Sequence, residues 1–228
     1  MQVVILAGGM GTRLRPLTNT IPKAMVTVRG KPFLEHQLGL LKATGLTDVL
    51  ILAGYLGGQI EEYFGDGSAL GVRIGYSHEQ SPMGTGGALK IAEPALEEHF
   101  VLLNGDTLLP IDYRALVDAF GGSGTTGLIV AYSNTCKIAP NNLKLSNQDL
   151  VLAYNKDDDT GMTHVDAGAI VLDKSVLELI RPGRPCSLER EVFRQLIRKR
   201  QLKAFRTDQR FYDMGSIEGL KQIEKVLR

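Results

Sequence analysis

The sequence predicts an α/β fold with a mostly parallel central sheet and helices on both of its faces. Short apolar segments without polar alternation, such as residues 2–7 and 48–53, are separated by segments with helical hydrophobic spacing. Such strands are typical of parallel sheets that are covered on both sides. Residues 8–12 and 104–106 are glycine- or turn-rich and follow predicted strands. Because such sheets bind ligands beyond the carboxyl ends of their strands, these two segments mark the expected site.

The first half of the chain alternates regularly between the two kinds of element. Buried strands are predicted over residues 2–7, 48–53, 72–76 and 100–103. Helices are predicted over residues 31–43, 59–64 and 87–99, with a kink at Pro94 in the last of them.

The second half is less regular, and we expect it to complete the pocket of the same domain. A helix is predicted over residues 111–120 and a strand over 128–132. Residues 143–145, 151–154 and 165–172 suggest an antiparallel ladder. The remaining predicted elements are helices over 174–180, 188–200 with Ser187 as N-cap, and 217–227 with Ser216 as N-cap, and a strand over 203–206.

Composition excludes several classes of protein. The 228 residues carry 26 Lys and Arg against 25 Asp and Glu, so the formal charge of +1 argues against a general nucleic-acid or anionic-membrane binder. No apolar segment approaches the about 18 residues of a transmembrane helix, and the apolar start lacks the basic segment of a signal peptide. Cys136 and Cys186 stand in no metal-binding spacing. We therefore expect a reduced, cytoplasmic protein.

Residues 8–13 form the first candidate site. Gly8, Gly9 and Gly11 after a buried strand can present several backbone N–H groups to one anion, and Arg13 and Arg15 add guanidinium groups that match phosphate oxygens. The spacing is neither Gly-x-Gly-x-x-Gly nor a P-loop. The alternative is a tight turn with solvated arginines, but the nearby Lys23 favours phosphate binding.

Three further segments, around Lys23, Asp106 and Asp213, indicate a function only when they are considered together. Pro22 restricts the backbone before Lys23, so the position of this lysine is well defined. Asp106 follows a strand at the mouth of the sheet, and Asp213 precedes a helix. Either aspartate alone is explained by a turn or a helix start, whereas two carboxylates with substrate phosphates would hold Mg²⁺.

These segments in this order, with residues 84–88 and 166–169, resemble the sugar-1-phosphate nucleotidylyltransferases. The resemblance covers essentially the whole chain. It implies a Rossmann-like nucleotidyltransferase fold, a nucleoside triphosphate and a sugar 1-phosphate as substrates, Mg²⁺, and pyrophosphate as leaving group. It also implies a single domain, 1–228, in which residues 1–110 mainly bind the nucleotide and residues 111–228 mainly bind the sugar phosphate.

The resemblance also assigns roles to individual residues. The catalytic residues it implies are Arg13, Lys23, Asp106 and Asp213, and the last two would be the metal ligands. The nucleotide-binding residues it implies are Leu6, Ala7, Gly8, Gly9, Gly11, Thr12, Arg13, Gln80, Gly84, Thr85 and Asp106. The sugar-phosphate-binding residues it implies are Lys23, Asn142, Lys156, Asp166 and Glu189. The sugar side departs more from the family pattern, because Asn155, Asp157 and Asp166 stand where many relatives have Glu, Pro and Asn.

The choice of substrates rests on residues 79–90, which most resemble guanylyltransferases for D-glycero-α-D-manno-heptose 1-phosphate. Guanine presents N–H donors, so it needs an acceptor such as Glu79 or a backbone carbonyl. The amide of Gln80, which can both donate and accept, would also bind uracil or thymine. Mannose-1-phosphate guanylyltransferases and uridylyl- or thymidylyltransferases share much of the pattern. A non-catalytic nucleotide-sugar sensor of the same fold is the alternative of another class. We expect a monomer or homodimer.

Overall fold

A seven-stranded sheet forms the centre of the protein. The structure, a computed structural model, describes residues 1–227. Its strands are, in chain order, β1 Gln2–Ala7, β2 Thr27–Val28, β3 Lys31–Pro32, β4 Asp48–Ala53, β5 Arg73–His78, β6 His99–Asn104, β7 Thr107–Leu108, β8 Gly127–Tyr132, β9 Leu143–Leu145, β10 Val151–Tyr154, β11 Val165–Asp173, β12 Leu202–Thr207 and β13 Tyr212–Asp213. The central sheet has the order β12-β8-β11-β6-β1-β4-β5.

The sheet is mostly parallel, as predicted. The pairs β1–β4, β1–β6, β4–β5 and β8–β12 are parallel, whereas β11 runs antiparallel to both β6 and β8. The prediction that residues 165–172 join 143–145 and 151–154 in one antiparallel ladder is therefore wrong. β9 and β10 pair with each other, but β11 lies inside the central sheet. The long apolar run of β11 is buried on both faces there, which a two-stranded ribbon at the surface could not provide.

Six α-helices accompany the sheet. They are α1 Phe33–Ala43, α2 Gly58–Phe64, α3 Gly84–Ala92, α4 Tyr113–Gly121, α5 Phe193–Arg198 and α6 Ile217–Val226. The prediction of one helix over 87–99 is wrong at both ends, because α3 begins at Gly84 and stops before the 3₁₀ turn that contains Pro94. Glu93 keeps helical backbone angles, but Pro94 has no N–H to continue the helical hydrogen bonding, so α3 ends here instead of bending. The predicted helix over 188–200 consists of a π-helical segment, Leu188–Val192, that leads into α5. Ser187 caps that segment and Ser216 caps α6, so both predicted caps are confirmed.

Two buried hydrophobic clusters lie on opposite faces of the sheet. Alternation along β1 shows this directly, since Val3 and Ile5 belong to one cluster and Val4 to the other. Leu116 of α4 packs in the first cluster and Phe193 of α5 in the second. Because both faces of each central strand are covered by helices, the strands read as continuous apolar runs in the sequence.

The strand ends position the loops of the candidate site. Leu6 pairs with Asn104 and Ala7 with Ala53, so the loops after β1, β4 and β6 leave the same edge of the sheet. The Gly105 N–H donates to the Leu6 carbonyl at 3.0 Å, which ties the loop after β6 to the end of β1. Among residues 1–227, no helix is long and apolar enough to cross a membrane.

Candidate active site

A cavity of about 360 Å³ opens at this edge of the sheet. We call it the nucleotide cavity. Its walls come from the loops after β1 and β6, from the start of α3, and from Glu79 and Pro82 in the connection before that helix. Of the residues predicted to bind nucleotide, those that line it are Leu6, Ala7, Gly8, Gly9, Gly84, Thr85 and Asp106.

The carboxylate of Glu79 explains two glycines of this wall. A Cβ atom on Gly8 or on Gly54 would lie 2.7 Å from Glu79 Oε1, which is closer than such atoms approach. Glu79 Oε2 accepts a hydrogen bond from the Met83 N–H at 3.0 Å. The side chain is therefore held against the backbone of the loop after β1, with Oε1 directed to the glycines.

Gln80, unlike the adjacent Glu79, does not line the nucleotide cavity. The structure leaves Gln80 exposed and outside the lining of the nucleotide cavity, so it is not brought together with the predicted nucleotide-binding residues. Glu79 takes that place on the wall. One sequence signal points to Glu79: it directly follows β5, so its side chain lies at the ligand-binding edge of the sheet.

A second cavity of about 240 Å³, which we call the phosphate cavity, lies under the turn of residues 9–14. Gly11 has a φ of +60° there, and a Cβ on it would approach the side chain of Thr18 to 2.9 Å and that of Lys23 to 3.1 Å. Glycine is therefore required by both backbone conformation and space. Gly11, Thr12, Arg13, Lys23, Asp106 and Gly215 all line this cavity.

Lys23 and Asp106 form an ion pair at the junction of the cavities. Lys23 Nζ lies 2.5 Å from Asp106 Oδ2, and the lysine side chain is only 12% exposed. The Thr107 hydroxyl donates to Asp106 Oδ1 at 3.2 Å. Asp106 lines the nucleotide cavity, the phosphate cavity and a third, sugar-side cavity described below. Asp106 therefore borders all three cavities, and Lys23 borders the nucleotide and phosphate cavities.

Asp213 reaches the same place from the other end of the chain. β13 pairs antiparallel with β7, so Asp213 lies opposite Thr107, and the Met214 N–H donates to the Asp106 carbonyl at 2.8 Å. Burial and the charge of Asp106 raise the pKa of Asp213 above its usual range, against the opposing charges of Lys23 and Arg13. Two like charges are thus held together, which favours a bound cation.

The donor set fits a hard divalent cation that is shared with phosphate oxygens. Magnesium ions are commonly held by one or two carboxylates together with substrate phosphates and water, and Asp106 and Asp213 supply that number. No group of three or more His, Cys, Asp or Glu side chains arranged as a metal site occurs within residues 1–227. The protein alone therefore offers an incomplete site, which substrate phosphates would complete.

The third cavity, of about 330 Å³, we call the sugar cavity. It is lined by Asp106 and Asp213 and by the predicted sugar-phosphate ligands Asn142, Lys156 and Asp166. Asn142 Oδ1 accepts from the Asp166 N–H at 2.8 Å, so these two residues are positioned by each other.

Asp166 is held from two sides at the wall of this cavity. Its Oδ1 accepts from the Gly168 N–H at 2.9 Å, and its Oδ2 accepts from the Tyr154 hydroxyl at 2.8 Å. Burial raises the pKa of the Asp166 carboxyl, although the Gly168 N–H and Lys156 favour its charged form. Burial and the neighbouring Asp166 charge also raise the pKa of Tyr154, so this phenol stays protonated and donates.

Glu189 does not line the sugar cavity. It lies behind Lys156, whose Nζ is 2.9 Å from Glu189 Oε1. Burial opposes the ionisation of Glu189, but the charge and hydrogen bond of Lys156 outweigh it and lower the pKa of Glu189 to about 2. The structure thus brings Asn142, Lys156 and Asp166 together and places Glu189 in contact with one of them.

Fold and site together define a class of protein. A glycine-rich loop at the end of β1 borders the nucleotide cavity, and the charged side chains of Arg13, Lys23, Asp106 and Asp213 lie around the adjoining phosphate and sugar cavities. This arrangement is typical of nucleotidyltransferases.

Known proteins match the chain along its length. A sequence model described as Nucleotidyl transferase matches residues 2–228, and the chain belongs to that family. The chain is 34% identical over 222 residues to a mannose-1-phosphate guanylyltransferase of Mycobacterium tuberculosis, covering 96% of this chain and 62% of that protein. It is 29% identical over 229 residues to the D-glycero-alpha-D-manno-heptose 1-phosphate guanylyltransferase of Aneurinibacillus thermoaerophilus, covering 100% of this chain and 99% of that protein.

Solved structures agree with this assignment. The crystal structure of HddC from Yersinia pseudotuberculosis complexed with GMP-PN matches with a TM-score of 0.83 and 27% identity, covering 100% of this chain and 99% of that one. A putative glucose-1-phosphate thymidylyltransferase from Bacillus anthracis, at 21% identity and a TM-score of 0.86, supports the fold. The predicted fold and the predicted nucleotidyltransferase family are both confirmed. The chain spans about three fifths of the length of the mannose-1-phosphate relatives that it matches.

Proposed function

We propose that the protein transfers a nucleotidyl group from a nucleoside triphosphate to a sugar 1-phosphate and releases pyrophosphate. One observation carries this proposal: Asp106 lines the nucleotide, phosphate and sugar cavities, and its ion-pair partner Lys23 lines the first two. A reaction between two phosphate-bearing substrates needs such a meeting point. Residues 1–110 would mainly hold the nucleotide, and residues 111–228 would mainly hold the sugar phosphate.

The proposed chemistry is an in-line displacement. An oxygen of the sugar phosphate forms a bond to the α-phosphorus, while the bond from that phosphorus to the β-phosphate oxygen breaks and pyrophosphate leaves with its electron pair. The attacking oxygen is already an anion near neutral pH, so no general base is needed. The barrier is the repulsion between two anions, and positioning with charge neutralisation lowers it.

The cations of the site suit this task. Arg13 in the phosphate cavity would neutralise the departing β- and γ-phosphates, and Lys23 would face the α-phosphate and the incoming sugar phosphate. Asp106 and Asp213 would hold Mg²⁺, which supplies positive charge against the phosphate oxygens when it is bound. On the sugar side, Asn142, Lys156 and Asp166 would contact the second substrate.

We propose GTP as the nucleotide. Glu79 Oε1 lies at the glycine wall of the nucleotide cavity as a negatively charged acceptor, while Oε2 already accepts from Met83. Guanine presents N–H groups at N1 and N2 on one edge, and a carboxylate accepts hydrogen bonds without donating any. Gln80, the predicted base contact, would have to move to reach the base.

We propose D-glycero-α-D-manno-heptose 1-phosphate as the sugar substrate. The full-length correspondence to the heptose 1-phosphate guanylyltransferase, 99% of that protein, supports it. Mannose 1-phosphate is the second candidate, favoured by the higher identity of 34% to a mannose-1-phosphate guanylyltransferase.

A substrate grid tests these proposals. ATP, CTP, GTP, UTP and dTTP are each combined with heptose, mannose, glucose and amino-sugar 1-phosphates, with Mg²⁺, and pyrophosphate release is measured. We expect the highest kcat/KM with GTP and the heptose 1-phosphate. A preference for UTP or dTTP would overturn the role of Glu79 but leave the reaction class standing. Binding of nucleotides without pyrophosphate release from any pair would overturn the reaction class.

A further inference from the structure

Both carboxylate oxygens of Glu189 are already occupied by protein groups. Oε1 accepts from Lys156 Nζ at 2.9 Å. Oε2 accepts from the Thr85 hydroxyl at 2.9 Å and from the Ser187 hydroxyl at 2.8 Å. The carboxylate is largely buried, with 17% of the side chain exposed. The protein thus uses three of the about four acceptor positions of this carboxylate, and one of them holds Lys156.

The hydroxyl of Thr85 also forms hydrogen bonds to protein groups. A threonine hydroxyl has one proton to donate and two lone pairs. Its proton is donated to Glu189 Oε2, and one lone pair accepts from the Leu188 N–H at 2.9 Å. Thr85 also lines the nucleotide cavity, but its proton and one of its two lone pairs are used within the protein.

We propose that Thr85 is a positioning residue for the sugar phosphate, which acts through Glu189 on the Lys156 ammonium; this rests on the proposed role of Lys156 at the sugar phosphate. The chain of contacts runs from the start of α3 on the nucleotide side, through the buried carboxylate, to a cation on the wall of the sugar cavity. None of the three residues is near another in sequence.

Lys156 needs such an anchor. Its side chain is 47% exposed, and a long lysine side chain loses much rotamer freedom when it is held in one position. Of its three ammonium protons, one goes to Glu189, which leaves two for a ligand in the sugar cavity. Lys156 Nζ also lies over the Tyr154 ring, 5.9 Å from its centroid.

The backbone makes the anchor rigid on the side of Thr85. The Gly86 N–H donates to the Cys186 carbonyl at 2.9 Å, and the Cys186 N–H donates to the Met83 carbonyl at 2.9 Å. A Cβ on Gly84 would lie 2.6 Å from the Cys186 carbonyl oxygen, so the two segments are in close contact. The start of α3 and the segment that carries Glu189 therefore behave as one unit.

A pair of variants separates positioning from base contact. Thr85→Val removes the hydroxyl at nearly constant shape, and Thr85→Ser keeps it. Thr44→Val is the matched control, because Thr44 is also partly buried but donates to Leu41 at the far end of α1. Steady-state kinetics give the KM of each substrate, and calorimetry with a non-hydrolysable GTP analogue gives nucleotide affinity.

We expect Thr85→Val to raise the KM for the sugar 1-phosphate about tenfold, because a hydrogen bond to a charged group is lost. Nucleotide affinity should stay within about twofold of the wild type, and Thr85→Ser should restore the sugar-phosphate KM. Ser187→Ala, which removes the other hydroxyl from the same oxygen, should shift the KM in the same direction. A loss of nucleotide affinity in Thr85→Val with an unchanged sugar-phosphate KM would overturn the proposal.

A second measurement does not depend on turnover. The protein is labelled with ¹³C at lysine Cε, and the Lys156 signal is assigned with Lys156→Arg. In the wild type we expect two distinct Hε signals from an immobilised ammonium arm, and in Thr85→Val a single averaged signal; Thr85→Ser should retain two. If Lys156 stays immobilised in Thr85→Val, the positioning role is excluded, even where the substrate grid has supported the reaction. If the grid fails, the positioning role is still decided by this signal.

Discussion

The nucleotide side and the sugar side of the cleft are built in different ways. The nucleotide side is built from backbone: Gly8 and Gly9 bring main chain against the cavity, and the Glu79 carboxylate fills the space that the missing side chains of Gly8 and Gly54 leave. The sugar side is a network of side chains, in which Lys156 depends on Glu189 and Asp166 on Tyr154.

This difference determines how each side responds to change. A backbone wall tolerates little added volume but needs no distant partner. A side-chain network keeps its shape only while each partner is present, because an unpaired buried polar group is costly. Substitutions on the nucleotide side should therefore act through sterics, and substitutions on the sugar side through lost partners. The following experiments test the two sides and the charged centre between them.

The largest effect is expected at the centre, where the two sides meet. Asp106→Ala and Asp213→Ala should each lower kcat about a hundredfold or more, because each removes a carboxylate that we propose as a ligand for the bound cation. Circular dichroism should show that both variants remain folded. Asp118→Ala is the control, since Asp118 is an exposed carboxylate of α4. Full Mg²⁺-dependent turnover in Asp106→Ala would refute the assignment.

The cationic side chains Arg13, Arg15 and Lys23 should differ in how much they contribute to turnover. Arg13 and Arg15 are both exposed, but only Arg13 lines the phosphate cavity. Arg13→Ala should lower kcat/KM about tenfold or more, and Arg15→Ala by about twofold at most. Lys23→Ala should also raise the KM for the sugar 1-phosphate. Equal, mild effects in all three variants would mean that the loop is only structural.

On the nucleotide side, added volume should be harmful. A Cβ on Gly54 would lie 2.9 Å from both the Cα and the carbonyl oxygen of Gly8. Gly54→Ala should therefore lower the free energy of unfolding by about 1–3 kcal/mol and raise the KM for the nucleotide. Gly39→Ala is the matched control in the exposed face of α1, with open space around its Cβ. It should raise the free energy of unfolding by about 0.5–1 kcal/mol. Urea denaturation measures both, and equal behaviour of the two variants would disprove the steric argument.

The smallest effect is expected in the pH dependence of the free energy of unfolding that Glu189 contributes on the sugar side. Lys156 lowers the folded-state pKa of Glu189 to about 2, below its value of about 4.3 in an unfolded chain. The stabilisation is therefore complete above the unfolded pKa and is lost as the pH falls from there towards 2. At pH 7 we expect the free energy of unfolding of Glu189→Gln to be about 1 kcal/mol lower than that of the wild type. The value is small because Lys156 is exposed and solvent screens its charge. The difference should vanish near pH 2. A difference independent of pH would mean that the charge of Glu189 is not responsible.

Much of the nucleotide side could be predicted because its signals are local. Gly8, Gly9, Gly11, Arg13 and Lys23 lie within one short stretch, and a glycine cluster after a buried strand has few structural meanings. The positive φ of Gly11 and the common location of Arg13 and Lys23 agree with that interpretation.

Predictions failed or stayed incomplete where the answer depended on distant residues. Residues 165–172 look like one strand of a surface ladder, and only the neighbours β6 and β8 place them in the central sheet. Gln80 and Glu79 are adjacent in the chain, yet the approach of Gly8 and Gly54 decides which of them lies on the cavity wall. The contact between Thr85 and Glu189 joins residues 104 positions apart, which no local pattern reports.

The sequence by itself determined the fold class, the family and the position of the glycine-rich loop after β1, because hydrophobic period and motif spacing act over a few residues of chain. Only the tertiary structure decided how Asp106 and Asp213 meet, since that contact needs the pairing of β7 with β13. It alone also decided that Glu189 supports Lys156 instead of facing the sugar cavity. A buried charge takes its partner from whatever the fold brings within about 3 Å, and that neighbour is set by packing across the whole domain and not by sequence distance.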